Sequence, residues 1–171
     1  MIDTGTTALP KKGPGAPALR RKSAPRARKK GGGGVVGYCI HGPTGKETFP
    51  PSRLVEVLRA GLPVSELNDL QATLAVPMEK LVPMLGISKA TLHRRKAAGR
   101  LDQAESDRVL RFARLMGRAV EVLESEENAR RWLTSPQFGL GGAVPLEYAE
   151  TEVGAREVED LLGRIEYGVY S

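Results

Sequence analysis

EKLVPMLGISKATLHRRK, residues 79–96, places two short helical patterns around a glycine. Met78, Leu81, Val82 and Leu85 fall at i, i+3, i+4, i+7, the spacing of one buried helical face. Gly86 supplies the left-handed residue that commonly closes a helix. Ile87 then plugs the angle between the two segments, Ser88 caps the second, and Leu92 faces inward. This is the spacing of a helix-turn-helix, in which residues near the start of the second helix reach base edges and flanking cations hold phosphates. The candidate DNA-binding set is Ser88, Lys89, Thr91, His93, Arg94, Arg95 and Lys96. Two residues stand against the assignment. Pro83 removes a backbone donor inside the first helix and should kink it, and Arg95 sits where many such motifs carry an aliphatic residue. A plain pair of helices with a solvated basic face stays open as the alternative.

Outward from this motif the pattern remains helical. Ser52 is expected to cap a helix running to Ala60, and Ser65 to start another with Leu67, Leu70 and Leu74 on one face. Pro77 should begin the first helix of the motif, and Gly99 should end the second. A long helix is predicted from Asp102 to about Glu124, with Val109, Phe112, Met116, Val120 and Leu123 in one stripe. Shorter helices are predicted at Asn128 to Leu133 and from Pro145. In the last helix Val158, Leu161, Leu162 and Ile165 repeat the i, i+3, i+4, i+7 spacing before Gly168. No run alternates with period two, so the expected fold class is all-α.

Charge is distributed unevenly. Residues 1–34 hold nine Lys/Arg against Asp3 alone, whereas residues 119–171 hold four bases and eleven acids. Between them, residues 88–118 carry nine bases and three acids. One surface thus suits nucleic acid and another suits a different partner. The Pro/Gly/Lys/Arg-rich start lacks a hydrophobic period, so residues 1–50 are expected to form a disordered basic tail, either solvated or phosphate-binding. No stretch has the apolar length of a membrane span, the start lacks a secretory apolar region, and Cys39 is the single cysteine, so the expected compartment is the cytoplasm.

Enzyme motifs fail on inspection. GPTGKET (42–48) resembles a phosphate loop, but Ile40 stands where its first glycine belongs and Glu47 replaces the metal-touching hydroxyl. Cys39 and His41 lack a second pair to complete a metal site, and Cys39 lacks an evident base. Glu147, Glu150 and Glu152 form an acidic cluster better explained by solvation. No catalytic residue, metal site or cofactor is assigned.

Residues 106–171 carry a denser signature. It comprises Arg111 and Ala113, Ala129-Arg130-Arg131-Trp132-Leu133, Pro136, Leu140-Gly141-Gly142 and Pro145-Leu146-Glu147. It continues through Thr151-Glu152, Gly154-Ala155 and Val158 to Leu161-Leu162-Gly163-Arg164-Ile165-Glu166 and Gly168. This segment resembles the C-terminal toxin-binding domain of the Xre/MbcA/ParS antitoxins, and residues 51–105 resemble that family's helix-turn-helix, with Val82 and Pro83 as departures. The resemblance implies a helix-turn-helix domain over 51–111 and a toxin-binding domain over 112–171. It implies a type II antitoxin that binds a RES-type, NAD-consuming toxin encoded by the adjacent gene, covers its NAD pocket, and represses the shared operator as a homodimer. It also places Arg164, Glu166, Tyr167, Gly168, Val169, Tyr170 and Ser171 at the toxin. Under this expectation LLGRIEYGVYS (161–171) is a plug whose Leu161, Leu162 and Ile165 anchor the helix; the alternative, compatible with it, is that the apolar end completes a small helical core with Trp132 at its centre. The competing expectation is a dimeric helix-turn-helix regulator without a toxin partner.

Overall fold

In the computed structural model residues 34–42 and 49–169 are described. Most of the basic segment, the GPTGKET turn beyond Gly42, and the candidate site residues Tyr170 and Ser171 lie outside the described residues. The chain runs through α1 (Val35–His41), α2 (Pro51–Ala60), α3 (Val64–Leu74), α4 (Met78–Met84) and α5 (Lys89–Ala98). It continues through α6 (Gln103–Leu123), α7 (Glu126–Leu133), a 3-10 turn (Phe138–Leu140), α8 (Pro145–Tyr148) and α9 (Glu152–Glu166). Among the described residues there is no β-strand, only an isolated antiparallel bridge between Pro63 and Arg100.

The long helix α6 is the spine. A reciprocal capping box starts it: Glu105 N–H donates to the Asp102 carboxylate at 2.7 Å, and Asp102 N–H donates back to Glu105 at 2.8 Å. Glu124 ends it in a left-handed conformation at φ 57°. Its buried surface is wider than the stripe predicted from sequence. Leu110, Ala113 and Leu115 are buried along with Val109, Phe112 and Met116. Val120 and Leu123, at the far end of that stripe, are only half-buried. The cause is that α1, α2, α3, α7 and α9 all pack on α6. The predicted boundary at 111/112 falls within this one helix, so both functional halves are built on a continuous rod about 30 Å long.

Residues 35–42 correct the expectation that residues 1–50 are a tail. Val35, Val36 and Ile40 are buried, and Tyr38 meets Phe49 edge to face with ring centroids 5.3 Å apart. Helix α1 has no cap of its own; instead the buried Glu66 of α3 accepts from Val35 N–H at 3.1 Å and Val36 N–H at 2.9 Å. A carboxylate there satisfies two orphan donors and complements the helix dipole. At the other end α1 lies directly on α6, where a Cβ at Gly117 would stand 2.1 Å from the Cys39 carbonyl oxygen.

Other differences from the sequence expectation are local. Helix α2 begins at Pro51 and α3 at Val64, each after a proline in extended geometry, so neither Ser52 nor Ser65 acts as the cap. A proline preceding the helix sets the backbone that the serine was expected to set. Pro83 is accommodated because α4 ends one residue later; Gly86 N–H returns to the Pro83 carbonyl at 2.7 Å and Ile87 N–H to Val82 at 3.0 Å. Trp132 is half-buried at the edge of the core rather than its centre, and Ala129, Leu133, Leu146, Val158 and Leu162 fill the space between α7, α8 and α9.

Candidate interaction surfaces

Helix α5 is presented to solvent along nearly its whole length and has no fully buried residue. Ser88 caps it, accepting from Thr91 N–H at 3.1 Å and donating its hydroxyl to Thr91 Oγ1 at 2.9 Å. Ser88, Lys89, His93, Arg94 and Lys96 are exposed, Thr91 is half-buried, and Leu92 packs against the core. Lys89, His93 and Lys96 share one face at i, i+4, i+7, with Arg94 beside them.

Arg95 differs from its companions. Its Nε donates to Glu105 at 2.7 Å and its Nη2 to Asp102 at 2.6 Å, so the guanidinium is turned onto the capping box of α6. The hydrogen bond to Glu105, followed by the charges of Glu105 and Asp102, raises the guanidinium pKa above its ordinary value. This accounts for the arginine in place of an aliphatic residue: an ion pair, rather than apolar packing, braces α5. Loop pairing fixes the same end of the molecule. Val64 N–H donates to Gly99 at 3.1 Å, Leu101 N–H to Leu62 at 2.8 Å, and Leu62 N–H to Ser106 Oγ at 2.8 Å.

The second surface lies at the end of α9. Thr151 caps this helix, accepting from Gly154 N–H at 3.0 Å, while Val158, Leu161 and Leu162 anchor it in the core. Ile165 and Arg164 are half-buried. Arg111 ties its start to α6, donating to Glu152 at 3.0 Å and to the Glu150 carbonyl at 3.3 Å. Arg118 ties its end through Glu166, with Nη2 at 2.5 Å from Oε2 and a second contact at 3.4 Å. The hydrogen bonds to Glu166 and then Glu121 raise the Arg118 pKa. Glu166, a candidate toxin contact, is thus engaged within its own chain. Beyond it, Gly168 adopts φ 67°, its N–H donates to Ile165 at 3.2 Å, and Val169 N–H donates to Arg164 at 2.9 Å. This paired hydrogen bonding is a Schellman motif, which turns the chain sharply off the helix axis. Its usual apolar partner would stand at Arg164 or Gly163, and neither is an apolar residue. Tyr167 and Val169 accordingly stand in solvent, 79% and 55% exposed.

Helix α1 escaped sequence reasoning although VVGYCIH holds buried apolar residues, because seven residues are too few to show a period. Cys39 is half-buried there, and burial pushes its thiol pKa up to about 11, with Arg114 lowering and Glu66 raising it further. His41 lies 3.6 Å from Glu126. Among the described residues no group of three or more His, Cys, Asp or Glu side chains is placed to hold a metal ion. Among them, too, no helix is long and apolar enough to cross a membrane.

The architecture is a helix-turn-helix unit joined through a shared spine to a small helical domain with an apolar, solvent-facing end. Residues 53–114 match the Antitoxin Xre-like helix-turn-helix domain, and residues 118–168 match the Antitoxin Xre/MbcA/ParS C-terminal toxin-binding domain. The chain is similar to Antitoxin Xre of Yersinia enterocolitica, 36% identical over 128 residues that cover 72% of this chain and 86% of that protein. It is also similar to Antitoxin Xre of Photorhabdus laumondii, 34% identical over 128 residues with the same coverage of 72% and 86%. The Prs ADP-ribosylating antitoxin of Sphingobium sp. is 27% identical over 131 residues, covering 71% of this chain and 82% of that protein. The chain belongs to the Xre/MbcA/ParS antitoxin family.

Proposed function

We propose that this antitoxin neutralises a RES-domain, NAD-consuming toxin encoded by the adjacent gene, inserting the end of α9 and the following residues into the entrance of its NAD pocket. The observation carrying this is the Schellman end of α9: the chain is turned off the helix axis, and Tyr167 and Val169 are left exposed. Arg164 lies at the same end, and among the described residues no ion pair engages it. A guanidinium there suits the phosphates or carboxylates of a nucleotide site. Glu166, held by Arg118, fixes the direction of exit. Tyr170 and Ser171 extend the same segment. An NAD-consuming partner is consistent with the name of the Sphingobium relative, since ADP-ribosylation draws its ADP-ribose from a nucleotide such as NAD.

The same chain, as a homodimer, binds the operator of its own operon through α5. Ser88, Lys89, Thr91, His93, Arg94 and Lys96 form the DNA-facing set, while Arg95 positions the helix from behind. The test is to co-express the adjacent gene product with the full chain and with a chain stopped after Glu166, which keeps the Arg118 ion pair, and to assay NAD loss in each purified complex. The proposal expects both chains to be captured and only the full chain to protect NAD. Equal protection would assign inhibition to another face. Failure of either chain to capture the neighbouring product would favour a dimeric regulator without a toxin partner.

A further inference from the structure

Phe138 is 100% exposed, the most exposed of the large apolar side chains among the described residues. A lone apolar residue on a surface needs no explanation. Here the backbone beneath the ring is fixed by a dense set of hydrogen bonds. The Gln137 side-chain amide donates to the carbonyls of Trp132 at 2.9 Å and Ser135 at 3.1 Å, and Gln137 N–H donates to Ala143 at 3.0 Å. The Gln137 carbonyl in turn accepts from Leu140 N–H at 3.1 Å and Gly142 N–H at 2.9 Å, and the Phe138 carbonyl accepts from Gly141 N–H at 2.9 Å. Every hydrogen bond here fixes the backbone, and none draws the ring inward.

The loop is also seated on α9. A Cβ at Gly139 would stand 2.5 Å from Leu161 Cδ1, so the 3-10 turn and the helix are in direct contact. Leu161 lies six residues before Tyr167, about 9 Å along the helix. The loop that bears the ring therefore sits against the C-terminal half of the helix that carries Tyr167 and Val169. With the backbone beneath it fixed, the ring has only its own side-chain rotation to lose on docking, which suits an interface anchor.

We propose that Phe138 is a second anchor for the toxin, beside the C-terminal segment, and that it fills an apolar socket set in a basic surface of the toxin. The basic setting follows from the four bases and eleven acids of residues 119–171. The proposal rests on the toxin-binding function above and divides it: the C-terminal segment blocks the pocket, and Phe138 supplies affinity outside it.

The test measures binding of the purified product of the adjacent gene to the full chain, to Phe138→Ser, and to the chain stopped after Glu166, with the oligomeric state of each chain taken alone. Phe138→Ser touches no core contact, and its melting temperature serves as the control for folding. The expected result is roughly 30-fold weaker binding for Phe138→Ser, the range of an aromatic hot spot, with NAD protection restored at saturating antitoxin. The truncated chain should fail to protect even when saturated. Unchanged binding by Phe138→Ser, with the full chain binding and protecting normally, overturns the anchor and leaves the toxin-binding function intact. Loss of self-association instead assigns the ring to a second copy of this chain and also overturns it. Absence of binding by the full chain removes both.

Discussion

At the scale of single residues, the decisive side chains are charged ones used inwardly. Glu66 spends its whole carboxylate on the first two described amides of α1. Glu66→Ala leaves those donors buried and unpaired, and should cost about 3 kcal/mol, read as a lower denaturation midpoint in urea with little change in slope. Arg94 and Arg95 are neighbours with opposite expectations. Arg94→Ala should weaken DNA binding and leave stability within about 0.5 kcal/mol. Arg95→Ala should lower stability first, because it releases Glu105 and Asp102. Paired melting curves and DNA titrations separate the two. Cys39 holds its proton more tightly in the folded chain, where burial raises its pKa from the ordinary 9.0 to about 11. Its contribution to stability is therefore complete below pH 9.0 and lost as pH rises toward 11. At pH 8 native Cys39 should alkylate roughly two orders of magnitude more slowly than in the denatured chain, followed by mass spectrometry. Equal rates would mean the thiol is not held in a desolvated site.

At the scale of elements, sequence patterns were most legible where a cap, a period and a glycine agreed. Helix α6 shows the first two: Asp102 marks its start, and its apolar spacing persists for most of its length. Helix α5 was legible from Ser88 and Gly99, and α9 from Val158, Leu161 and Leu162. Less legible were features whose cause lies far away in sequence. Helix α1 depends on Glu66, thirty-one residues from Val35, and on the missing side chain of Gly117. The role of Arg95 became visible only once the turn after α5 brought it onto the capping box of α6. Exposure of Phe138 has no periodic signature at all, because its loop follows hydrogen bonds to Gln137 rather than an amphipathic face. Gly117→Ala, which sets a Cβ against the Cys39 carbonyl, should displace α1 and raise amide exchange over Val35–His41 more than over α5.

At the scale of the molecule, α6 holds the two surfaces in one rigid relation. Arg95 reaches its first turn from α5, and Arg118 near its other end holds the last residue of α9. Arg130 of α7 adds a hydrogen bond to the Thr73 carbonyl of α3, joining the halves on a second path. Along the chain, charge is basic through α5 and α6 and acidic after them. The nine bases of residues 1–34 lead directly into α1, whose start is held by Glu66. Glu66 lies in the first turn of α3, which begins beside Gly99 at the end of α5. A phosphate-binding role for the basic segment is a proposal with a direct test. Deleting residues 1–33 should then reduce the slope of log affinity against log salt by several contacts' worth, with no change in preference between operator and unrelated DNA. An unchanged slope would return the segment to solvent. The most direct test of the central claim is the inhibition of the neighbouring toxin by the full chain at a series of NAD concentrations. Occupation of the NAD entrance by the segment after α9 predicts that the apparent inhibition constant rises in proportion to NAD, and that stopping the chain after Glu166 abolishes the competition. An inhibition constant independent of NAD would contradict it.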